Sequence, residues 1–250
     1  MAKTILITGA SSGLGAEMAR QFAAKGYNLA LCARRVERLE ELKRDIQASN
    51  PSVKVTLKAL DVTDSDAVFR VFAAFKEEFE HLDRVIVNAG MGKGGSLGTG
   101  LFQYNKATIE TNLVAALAQC EAALEIFRAQ QSGHLVTISS MSALRGMPRA
   151  MTAYAASKAG LVNLTEGIRA DLLRAKSPIK VSCIMPGFIR SELNEKVKNT
   201  PFMVDTVPGV QAMVRAIEKE KPQAYVPSWP WTIMGFLMKR LPLKVVMKLG

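Results

Sequence analysis

A short glycine-rich segment near the start of the chain constrains the fold more than any other feature. Residues 8–15 have the sequence TGASSGLG, directly after the apolar run at 5–7 and directly before a helical pattern. Gly9 can adopt the positive φ of a tight turn, Gly13 places no side chain before a ligand, and Gly15 lets the helix lie close to the strand. Free N–H groups at such a helix start favour phosphates. The segment predicts a dinucleotide-binding turn, and an ordinary tight turn is the alternative.

Length and charge narrow the range of proteins. The chain has 250 residues, of which 48% are hydrophobic and 22% charged, which suits one well-buried α/β domain better than two. Lys and Arg number 33 against 22 Asp and Glu, and the net charge of +11 suits anionic cofactors, membrane surfaces or nucleic acid. Because basic residues do not form blocks with interleaved aromatic residues, we predict no nucleic-acid binding.

The cysteines and the chain start bear on the compartment. Cys32, Cys120 and Cys183 are far apart in apolar segments, a pattern typical of reduced core thiols, and it suggests no metal site. Only three residues precede the first predicted strand, which leaves no room for a separate signal peptide. We therefore expect a cytoplasmic protein without a bound metal.

Strand and helix patterns alternate along the chain. After the first unit, strands are predicted over 28–32, 53–57, 85–87, 134–138 and 181–185, and helices over 36–48, from Asp64 as N-cap, over 105–128 and over 152–175. This alternation predicts an α/β fold of the Rossmann-like, doubly wound type, with a parallel sheet and helices on both faces. We assign residues 1–228 to a single dinucleotide-binding catalytic domain and residues 229–250 to an apolar and basic C-terminal tail.

The end of the second predicted strand bears on the choice of dinucleotide. Arg34 and Arg35 follow this strand, and no carboxylate stands there. A guanidinium can bind a ribose 2′-phosphate bidentately, whereas a carboxylate would repel it. NADP(H) is therefore favoured over NAD(H), and solvated residues at a helix start are the alternative interpretation. Asp61, followed by Val62, could accept from the adenine amino group or could cap a turn.

Seven short motifs occur in a fixed order: TGASSGLG, Asp61-Val62, Asn88-Ala89-Gly90, Asn112, Ser139-Ser140, Tyr154-Ala155-Ala156-Ser157-Lys158 and Pro186-Gly187. Over residues 1–227 their order and spacing resemble the short-chain dehydrogenase/reductase family, in its shorter oxidoreductase branch. The resemblance implies transfer of a hydride between NADP(H) and a carbonyl or an alcohol. It also implies a cofactor site formed by Gly9, Ser11, Ser12, Gly13, Leu14, Gly15, Arg34, Arg35, Asp61, Val62, Asn88, Ala89, Gly90, Tyr154, Lys158, Pro186, Gly187, Ile189 and Ser191.

The predicted catalytic pair is Tyr154 and Lys158. A carbonyl that accepts a hydride needs a proton donor, and residues at i and i+4 share one helix face. The ammonium is expected to lower the pKa of the Tyr154 phenol from its usual value of about 10. By resemblance, Lys158 also holds the nicotinamide ribose, and Asn112 anchors a water for proton relay. The alternative for Asn112 is a helix-bend residue that bonds backbone groups.

Ser140 is the predicted donor to the substrate oxygen. The distance in sequence from Ser140 to Tyr154 is one residue longer than the commonest family spacing, so Ser139 and Ser142 remain alternatives. The four catalytic candidates together favour an enzyme, and the competing class is a catalytically idle Rossmann-fold binding or regulatory protein.

Residues 191–209 are predicted to form a variable lid over the substrate. Its apolar residues, and those near the predicted catalytic serine, are Leu193, Val197, Phe202, Met203, Val204, Met141, Leu144 and Met147. They favour a hydrophobic or lipid-like carbonyl or alcohol, and closure of the core is the alternative. Because the chain lacks the glycine-rich C-terminal ending of many tetrameric family members, we predict a homodimer.

The tail at 229–250 is rich in Trp, Met and Leu and contains no acidic residue. Its prolines and spaced cations argue against a spanning helix. Arg240, Lys244 and Lys248 would form one cationic stripe on a helix, and Trp229 and Trp231 suit the lipid headgroup level. We therefore predict peripheral docking on an anionic membrane surface. Packing of the tail against a partner subunit or its own domain is the alternative.

Overall fold

The apolar runs of the sequence form one seven-stranded parallel sheet in a computed structural model that describes residues 2–194 and 202–246. The strand order is β3-β2-β1-β4-β5-β6-β7, and every neighbouring pair is parallel. The strands are β1 (Thr4–Thr8), β2 (Asn28–Ala33), β3 (Val55–Ala59), β4 (Arg84–Val87), β5 (His134–Ile138), β6 (Lys180–Pro186) and β7 (Gln223–Val226). The doubly wound fold predicted from the sequence is confirmed.

Helices connect these strands. They are α1 (Gly13–Ala23), α2 (Val36–Ser49), α3 (Ser65–Phe79), α4 (Phe102–Ile109), α5 (Ala115–Gln130), α6 (Met151–Arg174), α7 (Thr206–Glu218), α8 (Ser228–Arg240) and α9 (Leu243–Val246), with short 3₁₀ turns at Met141–Leu144 and Glu192–Asn194. The predicted cap of α3 forms, because the Asp64 carboxylate accepts from the Ala67 N–H at 2.9 Å. This bond satisfies one of the free donors at the helix start.

The helices cover both faces of the sheet. On one face, α1, α2 and α7 bury a cluster that includes Phe22, Leu39 and Met213. On the other face, α3, α5 and α6 bury a second cluster that includes Phe72 and Phe127. Burial of each such side chain contributes about 1.5–3 kcal/mol. Two cores on one sheet hold the chain together as a single domain.

Four elements show the largest differences from the sequence prediction. A π turn at Glu110–Val114 interrupts the helix predicted over 105–128. Strand β3 starts two residues later than predicted, at Val55. Strand β7 and helix α7 were not predicted; β7 has only four residues, too few to show a clear alternation.

The start of the tail belongs to the folded core. Trp231 is only 5% exposed and packs with Met141, Cys183 and Met185, so its predicted place at the membrane headgroups is wrong. An ideal Cβ on Gly235 would lie 3.1 Å from the side chains of both Leu144 and Tyr225. One face of α8 therefore packs against its own domain, as the alternative interpretation proposed.

The predicted cationic stripe does not form on one helix. Helix α8 ends at Arg240, and Leu241 has an extended conformation with φ −67° and ψ 144° before Pro242. Proline cannot continue the helical hydrogen bonds, so Arg240 and Lys244 lie on separate helices. Lys248 lies outside the described residues. No helix in the part of the chain that the structure describes is long and apolar enough to cross a membrane.

The three cysteines are free thiols buried in the core. Burial raises the pKa of the Cys120 thiol to about 12, with smaller effects of Glu121 and Cys183 in the same direction. The thiols are therefore protonated and unreactive at neutral pH. Over residues 2–194 and 202–246, His, Cys, Asp and Glu side chains form no group that could hold a metal ion.

Candidate active site

A cavity of about 550 Å³ opens at the carboxyl ends of β1 and β4, where the strand order reverses. In a doubly wound sheet this switch point is the usual place for a ligand. The predicted residues that line the cavity are Gly9, Ser11, Ser12, Gly13, Leu14, Gly15, Arg34, Arg35, Asp61, Val62, Asn88, Ala89, Gly90, Tyr154, Lys158 and Ser191. Ser139, an alternative catalytic serine, also lines the cavity, and residues that line it without having been predicted are Ala33, Leu60, Met91, Gly92, Lys93, Thr111, Ile138 and Glu192.

The glycine turn is packed directly against the end of β4. Gly9 has φ +64°, and a Cβ there would lie 2.8 Å from the Ala89 Cα. A Cβ on Gly15 would lie 2.4 Å from the Gly9 carbonyl oxygen. The Thr8 hydroxyl accepts from the N–H groups of Asn88 and Ala89 at 3.0 and 3.1 Å. Larger side chains would therefore push these two loops apart.

The start of α1 fits a phosphate group. Among the described residues no side chain caps this helix, because the Ser12 hydroxyl accepts from Arg35 Nη2 at 2.6 Å instead. The free N–H groups and the helix dipole attract anions, and the Arg35 guanidinium adds a positive charge beside them. These residues fit the phosphates of a dinucleotide.

Arg34 lies over the end of β3. Its side chain is 76% exposed, and Nη1 is 3.8 Å from an Asp61 carboxylate oxygen. The Asp61 carboxylate accepts from the Thr63 N–H at 3.0 Å and from the Thr63 hydroxyl at 2.8 Å. Asp61 therefore caps a turn, which was the alternative to a contact with the adenine amino group. Partial burial acts to raise the pKa of Asp61, but the Thr63 hydrogen bonds and Arg34 hold it below its ordinary value.

Arg35 is engaged by an acid that the sequence prediction did not include. Glu192 Oε2 is 3.2 Å from Arg35 Nη2, and the same carboxylate also binds Arg38. Burial acts to raise the pKa of Glu192, but hydrogen bonds with Arg38, Ser12 and Arg35 lower it. The carboxylate is therefore ionised at neutral pH and would compete with a phosphate for these arginines.

The predicted catalytic pair, Tyr154 and Lys158, lies on α6. The structure contradicts the expected lowering of the Tyr154 pKa by Lys158. Burial raises the pKa of the Tyr154 phenol above its usual value, although a hydrogen bond with Ser140 opposes this. Lys158 Nζ donates to the Ile138 carbonyl at 2.9 Å and lies 5.9 Å from the centre of the Tyr154 ring. Burial lowers the pKa of Lys158 to about 8, partly opposed by Cys183. Lys158 is buried and Tyr154 is half-buried, and the ammonium bonds a carbonyl instead of the phenol.

Three neighbouring serines have different surroundings. Ser140 precedes the 3₁₀ turn at Met141–Leu144, and its hydroxyl lies close enough to the Tyr154 phenol to lower the pKa of that phenol. Ser139 borders the cavity, but its hydroxyl donates to the Lys158 carbonyl at 2.9 Å. Ser142 donates to the Ser140 hydroxyl at 3.0 Å. Within the described ranges Ser139, the alternative, lines the cavity and Ser140 does not, whereas Ser140 is the serine beside the phenol.

Asn112 is buried in the π turn and bonds backbone groups. Its amide accepts from the Met91 N–H and donates to the Met91 carbonyl, both at 2.8 Å, and also donates to the Ser157 hydroxyl at 3.2 Å. These bonds agree with the alternative interpretation, in which Asn112 is a helix-bend residue that bonds backbone groups. A Cβ on Gly90 would lie 3.2 Å from Asn112 Oδ1 and 3.4 Å from Lys158 Nζ, so Asn112 stands close to the predicted proton-relay position.

The segment that follows β6, from Gly187 to Ser191, reaches the cavity only at Ser191. Gly187 donates to the Val226 carbonyl at 2.9 Å, and Ile189 forms an isolated parallel bridge with Val204. Within the described ranges, Pro186, Gly187 and Ile189 are not among the residues that line the cavity, whereas Ser191 is.

The apolar residues predicted near the substrate divide into two groups. Met141 and Leu144 pack in the cluster around Trp231, and Val204 packs on the larger core, so these three close the core. Phe202 is exposed; Met203 and Met147 are partly exposed. Val197 and the side chain of Leu193 lie outside the described residues.

Sequence reasoning missed Glu192, Arg38 and Trp231. Arg38 lies three residues after Arg35 on α2, a spacing that places two side chains on one helix face, and Glu192 directly follows the predicted cofactor residue Ser191. These two signals were available. Nothing local marks Trp231, because its contacts are with residues distant in sequence.

Known proteins share this chain's sequence over most of its length. A family model described as short chain dehydrogenase matches residues 3–201. An uncharacterized oxidoreductase of Mycobacterium tuberculosis is 54% identical over 238 residues, which are 95% of this chain and 93% of the relative.

Solved structures have the same fold. A short-chain dehydrogenase/reductase from Burkholderia phymatum in complex with NAD superposes with a TM-score of 0.85 at 22% identity, over 99% of this chain and 95% of that protein. A short-chain dehydrogenase from Sphingobium yanoikuyae in complex with NADPH has a TM-score of 0.81 at 25% identity, over 96% and 97% of the two chains. The family match spans most of the chain and includes the Ser140, Tyr154 and Lys158 region, and we conclude that this protein belongs to the short-chain dehydrogenase/reductase family of oxidoreductases.

Proposed function

We propose that this protein is an NADP(H)-dependent oxidoreductase that transfers a hydride between the nicotinamide and a carbonyl or an alcohol, as a carbonyl reductase does. The observation that carries the proposal is the position of Tyr154 and a buried Lys158 in the wall of one cavity, with the Ser140 hydroxyl close enough to the phenol to lower its pKa. A binding or regulatory protein does not need a phenol and an ammonium in the wall of one cavity with a serine hydroxyl beside the phenol.

The side chains supply the acid and the polarising hydrogen bond. Bound NADP(H) supplies or accepts the hydride. In reduction, the Tyr154 phenol donates its proton to the oxygen that gains negative charge, and the Ser140 hydroxyl donates a hydrogen bond to the same oxygen. A Lys158 with a pKa of about 8 can return a proton toward the phenol near neutral pH, and Asn112 stands beside this route.

The arginines at the cavity rim support NADP(H) over NAD(H). Arg34 and Arg35 line the cavity where β2 ends, and guanidinium groups bind a 2′-phosphate bidentately. The related fold from Sphingobium yanoikuyae was solved with NADPH and that from Burkholderia phymatum with NAD, so this choice depends on local residues. Fluorescence titration with both reduced cofactors tests it.

We propose a hydrophobic substrate. The support is the exposure of two phenylalanines, Phe202 within the predicted lid at 191–209 and Phe188 three residues before it. Exposed apolar side chains on and beside a lid can contact apolar ligands. A screen of aliphatic and aromatic ketones, aldehydes and alcohols with NADPH or NADP tests both the activity and the substrate class, and failure of all of them would favour the catalytically idle alternative.

The protein is proposed to be a cytoplasmic homodimer. Phe102 and Tyr104 on α4, Val114 in the π turn and Leu117 on α5 are exposed along one continuous helical stretch, which a second subunit would cover. Sedimentation equilibrium tests the dimer. The cytoplasmic location is supported by three buried thiols without a disulfide.

The outer face of the tail supports docking on an anionic membrane surface. Trp229 is 74% exposed, and Ile233 and Phe236 are also exposed. The Arg240 guanidinium lies 4.0 Å above the Phe236 ring. An apolar face with basic residues beside it is typical of interfacial helices, and each basic residue near an anionic surface contributes about 1 kcal/mol.

A further inference from the structure

Lys93 is a basic residue of the cavity wall that the sequence prediction did not include. It stands in the loop between β4 and α4 and is exposed. Within the described ranges Lys93 takes part in no ion pair. The reaction proposed above does not use this ammonium.

The chain around this lysine runs alongside the part of α6 that carries Tyr154. On one side of the lysine, a Cβ on Gly90 would lie 3.4 Å from Lys158 Nζ. On the other side, a Cβ on Gly94 would lie 2.9 Å from the Ala150 carbonyl oxygen. Lys158 follows Tyr154 by four residues and Ala150 precedes it by four, which is about one helical turn in each direction. The loop therefore passes Tyr154, and its lysine lies at the Tyr154 end of the cavity.

Two buried side chains of α4 hold this loop in place. The Thr108 hydroxyl donates to the Lys93 carbonyl. The Asn105 amide accepts from the Gly95 N–H and donates to the Gly95 carbonyl, both at 3.1 Å. Because these bonds fix the backbone on which the ammonium is carried, a ligand of the ammonium does not have to order the loop.

Acidic residues are absent from both stretches of sequence that form this end of the cavity. Neither residues 84–109, from β4 through α4, nor residues 132–165, from β5 into α6, contain an Asp or a Glu. The second stretch adds Arg149, which is exposed just before α6. Among the described residues, the acids of the cavity wall are Asp61 and Glu192, and both are paired with arginines at the end that fits phosphates. The opposite end therefore has a positive potential, which attracts anions.

We propose that Lys93 binds an anionic group of the substrate, a carboxylate or a phosphate, while the carbonyl or alcohol group lies at Tyr154. A lysine ammonium is a point charge that attracts either anion. The proposal rests on the proposed function, because that function places the reacting oxygen at the Tyr154 phenol. It also defines the hydrophobic substrate further. The substrate has an apolar part and an acidic group, and the acidic group determines how the molecule is oriented toward the phenol.

The test is calorimetric titration of the protein saturated with NADPH, or with NADH if only that cofactor binds. The probes are octanoate, octyl phosphate and octanamide, which share one chain length and differ in charge. We expect at least one anion to bind about tenfold more tightly than the neutral amide, because hydrogen bonds between charged groups are stronger than neutral ones. The anion with the larger preference identifies the acidic group as a carboxylate or a phosphate.

Three variants assign the preference to one side chain. Lys93→Gln should remove the preference for the anion and leave octanamide binding unchanged, whereas Lys93→Arg, which keeps the charge, should retain the preference. Lys106→Gln is the matched control and should bind all probes as the wild type does. Its ammonium pairs with Glu110 at 3.4 Å, and Lys106 is not among the described residues that line the cavity.

Two results would overturn the proposal. One is equal affinity of the wild type for the three probes, and the other is a preference for the anion that survives in Lys93→Gln. If that preference survives while the affinity for the cofactor falls, Lys93 belongs to the cofactor site instead. A wild-type protein that binds neither NADPH nor NADH overturns the proposed function before any probe is added, so the two failures are distinguishable.

Discussion

The Glu192 carboxylate lies 3.2 Å from the Arg35 guanidinium at the rim of the cavity. A ribose 2′-phosphate bound at Arg35 must displace or repel this acid. We therefore expect Glu192→Gln to tighten NADPH binding several-fold and to leave NADH binding nearly unchanged. Fluorescence titration of both cofactors measures this. Glu40→Gln, which removes the same charge from the exposed side of α2, is the control; equal tightening by the two variants would assign the effect to net charge alone.

Arg35 is expected to set the cofactor preference. In the wild type, NADPH should bind at least about tenfold more tightly than NADH, because a charge-assisted bidentate bond to phosphate contributes about 1.5–3 kcal/mol. Arg35→Gln should remove most of this difference, whereas Arg44→Gln, on the exposed surface of the same helix, should not. Equal dissociation constants of the wild type for the two cofactors would contradict the NADP(H) proposal.

Tyr154→Phe removes the phenolic proton and little else. We expect turnover to be lost while the dissociation constant for NADPH stays within about twofold, since the ring still fills its place. Steady-state assays and titration of the same preparation provide the two measurements. A variant that retains more than about a tenth of the wild-type rate would show that another group is the acid. Ser139→Ala, whose hydroxyl bonds the Lys158 backbone, is the comparison for Ser140→Ala.

A buried histidine makes stability depend on pH. His134 Nδ1 accepts from Arg84 Nε at 2.9 Å, so its proton is on Nε2, which donates to the Ser182 hydroxyl at 2.8 Å. Burial, with a smaller effect of Arg84, lowers the pKa of His134 from 6.5 to about 3. As the pH falls, the unfolded chain is therefore protonated at His134 before the folded chain is. The free energy of unfolding decreases as the pH drops below 6.5.

Between pH 7.5 and 5 this residue should reduce the free energy of unfolding by about 2 kcal/mol. Urea titrations across this range measure the change. His134→Gln can keep both hydrogen bonds but cannot be protonated, and we expect its unfolding free energy to vary less with pH. An identical pH dependence of the two proteins would mean that His134 is not kept neutral by the fold.

Membrane docking now has a sharper test than removal of the tail, because truncation at residue 228 would also remove the buried Trp231. Phe236→Asp and Ile233→Asp change only exposed side chains of α8. Both should reduce co-sedimentation with phosphatidylglycerol vesicles at low salt several-fold. Leu173→Asp, on the exposed surface of α6, is the matched control. Sedimentation that is equally poor for all four proteins would contradict docking.

Much of the sheet was predictable because strands buried on both faces appear as continuous apolar runs. Strand β5 (His134–Ile138) has the predicted bounds. The π turn was not predictable, because Asn112 leaves the α-helical pattern only to reach the Met91 backbone, 21 residues earlier. Strand β7 depends on pairing with β6 and not on its own four residues.

The residues of the candidate site also include some that the local sequence could predict and some that only the folded chain reveals. Residues 8–15 and Arg35 are marked by local chemistry, and the structure brings them to one cavity. Trp231 and Glu192 act across long distances in sequence, and their partners are set only by the folded chain. The lowered Tyr154 pKa was expected from the spacing to Lys158, but spacing does not reveal that the ammonium bonds the Ile138 carbonyl.

The arginines at 34, 35 and 38 stand exposed at the mouth of the cavity, in a chain of net charge +11. The electric field of these arginines extends into the solvent beyond the reach of direct contacts. An anionic dinucleotide is therefore attracted toward this rim while it is still diffusing. At physiological ionic strength this attraction reaches about 8 Å. Encounter with the ligand is therefore faster in dilute buffer than in salt, and the phosphate-bearing end of the molecule is the end that arrives first.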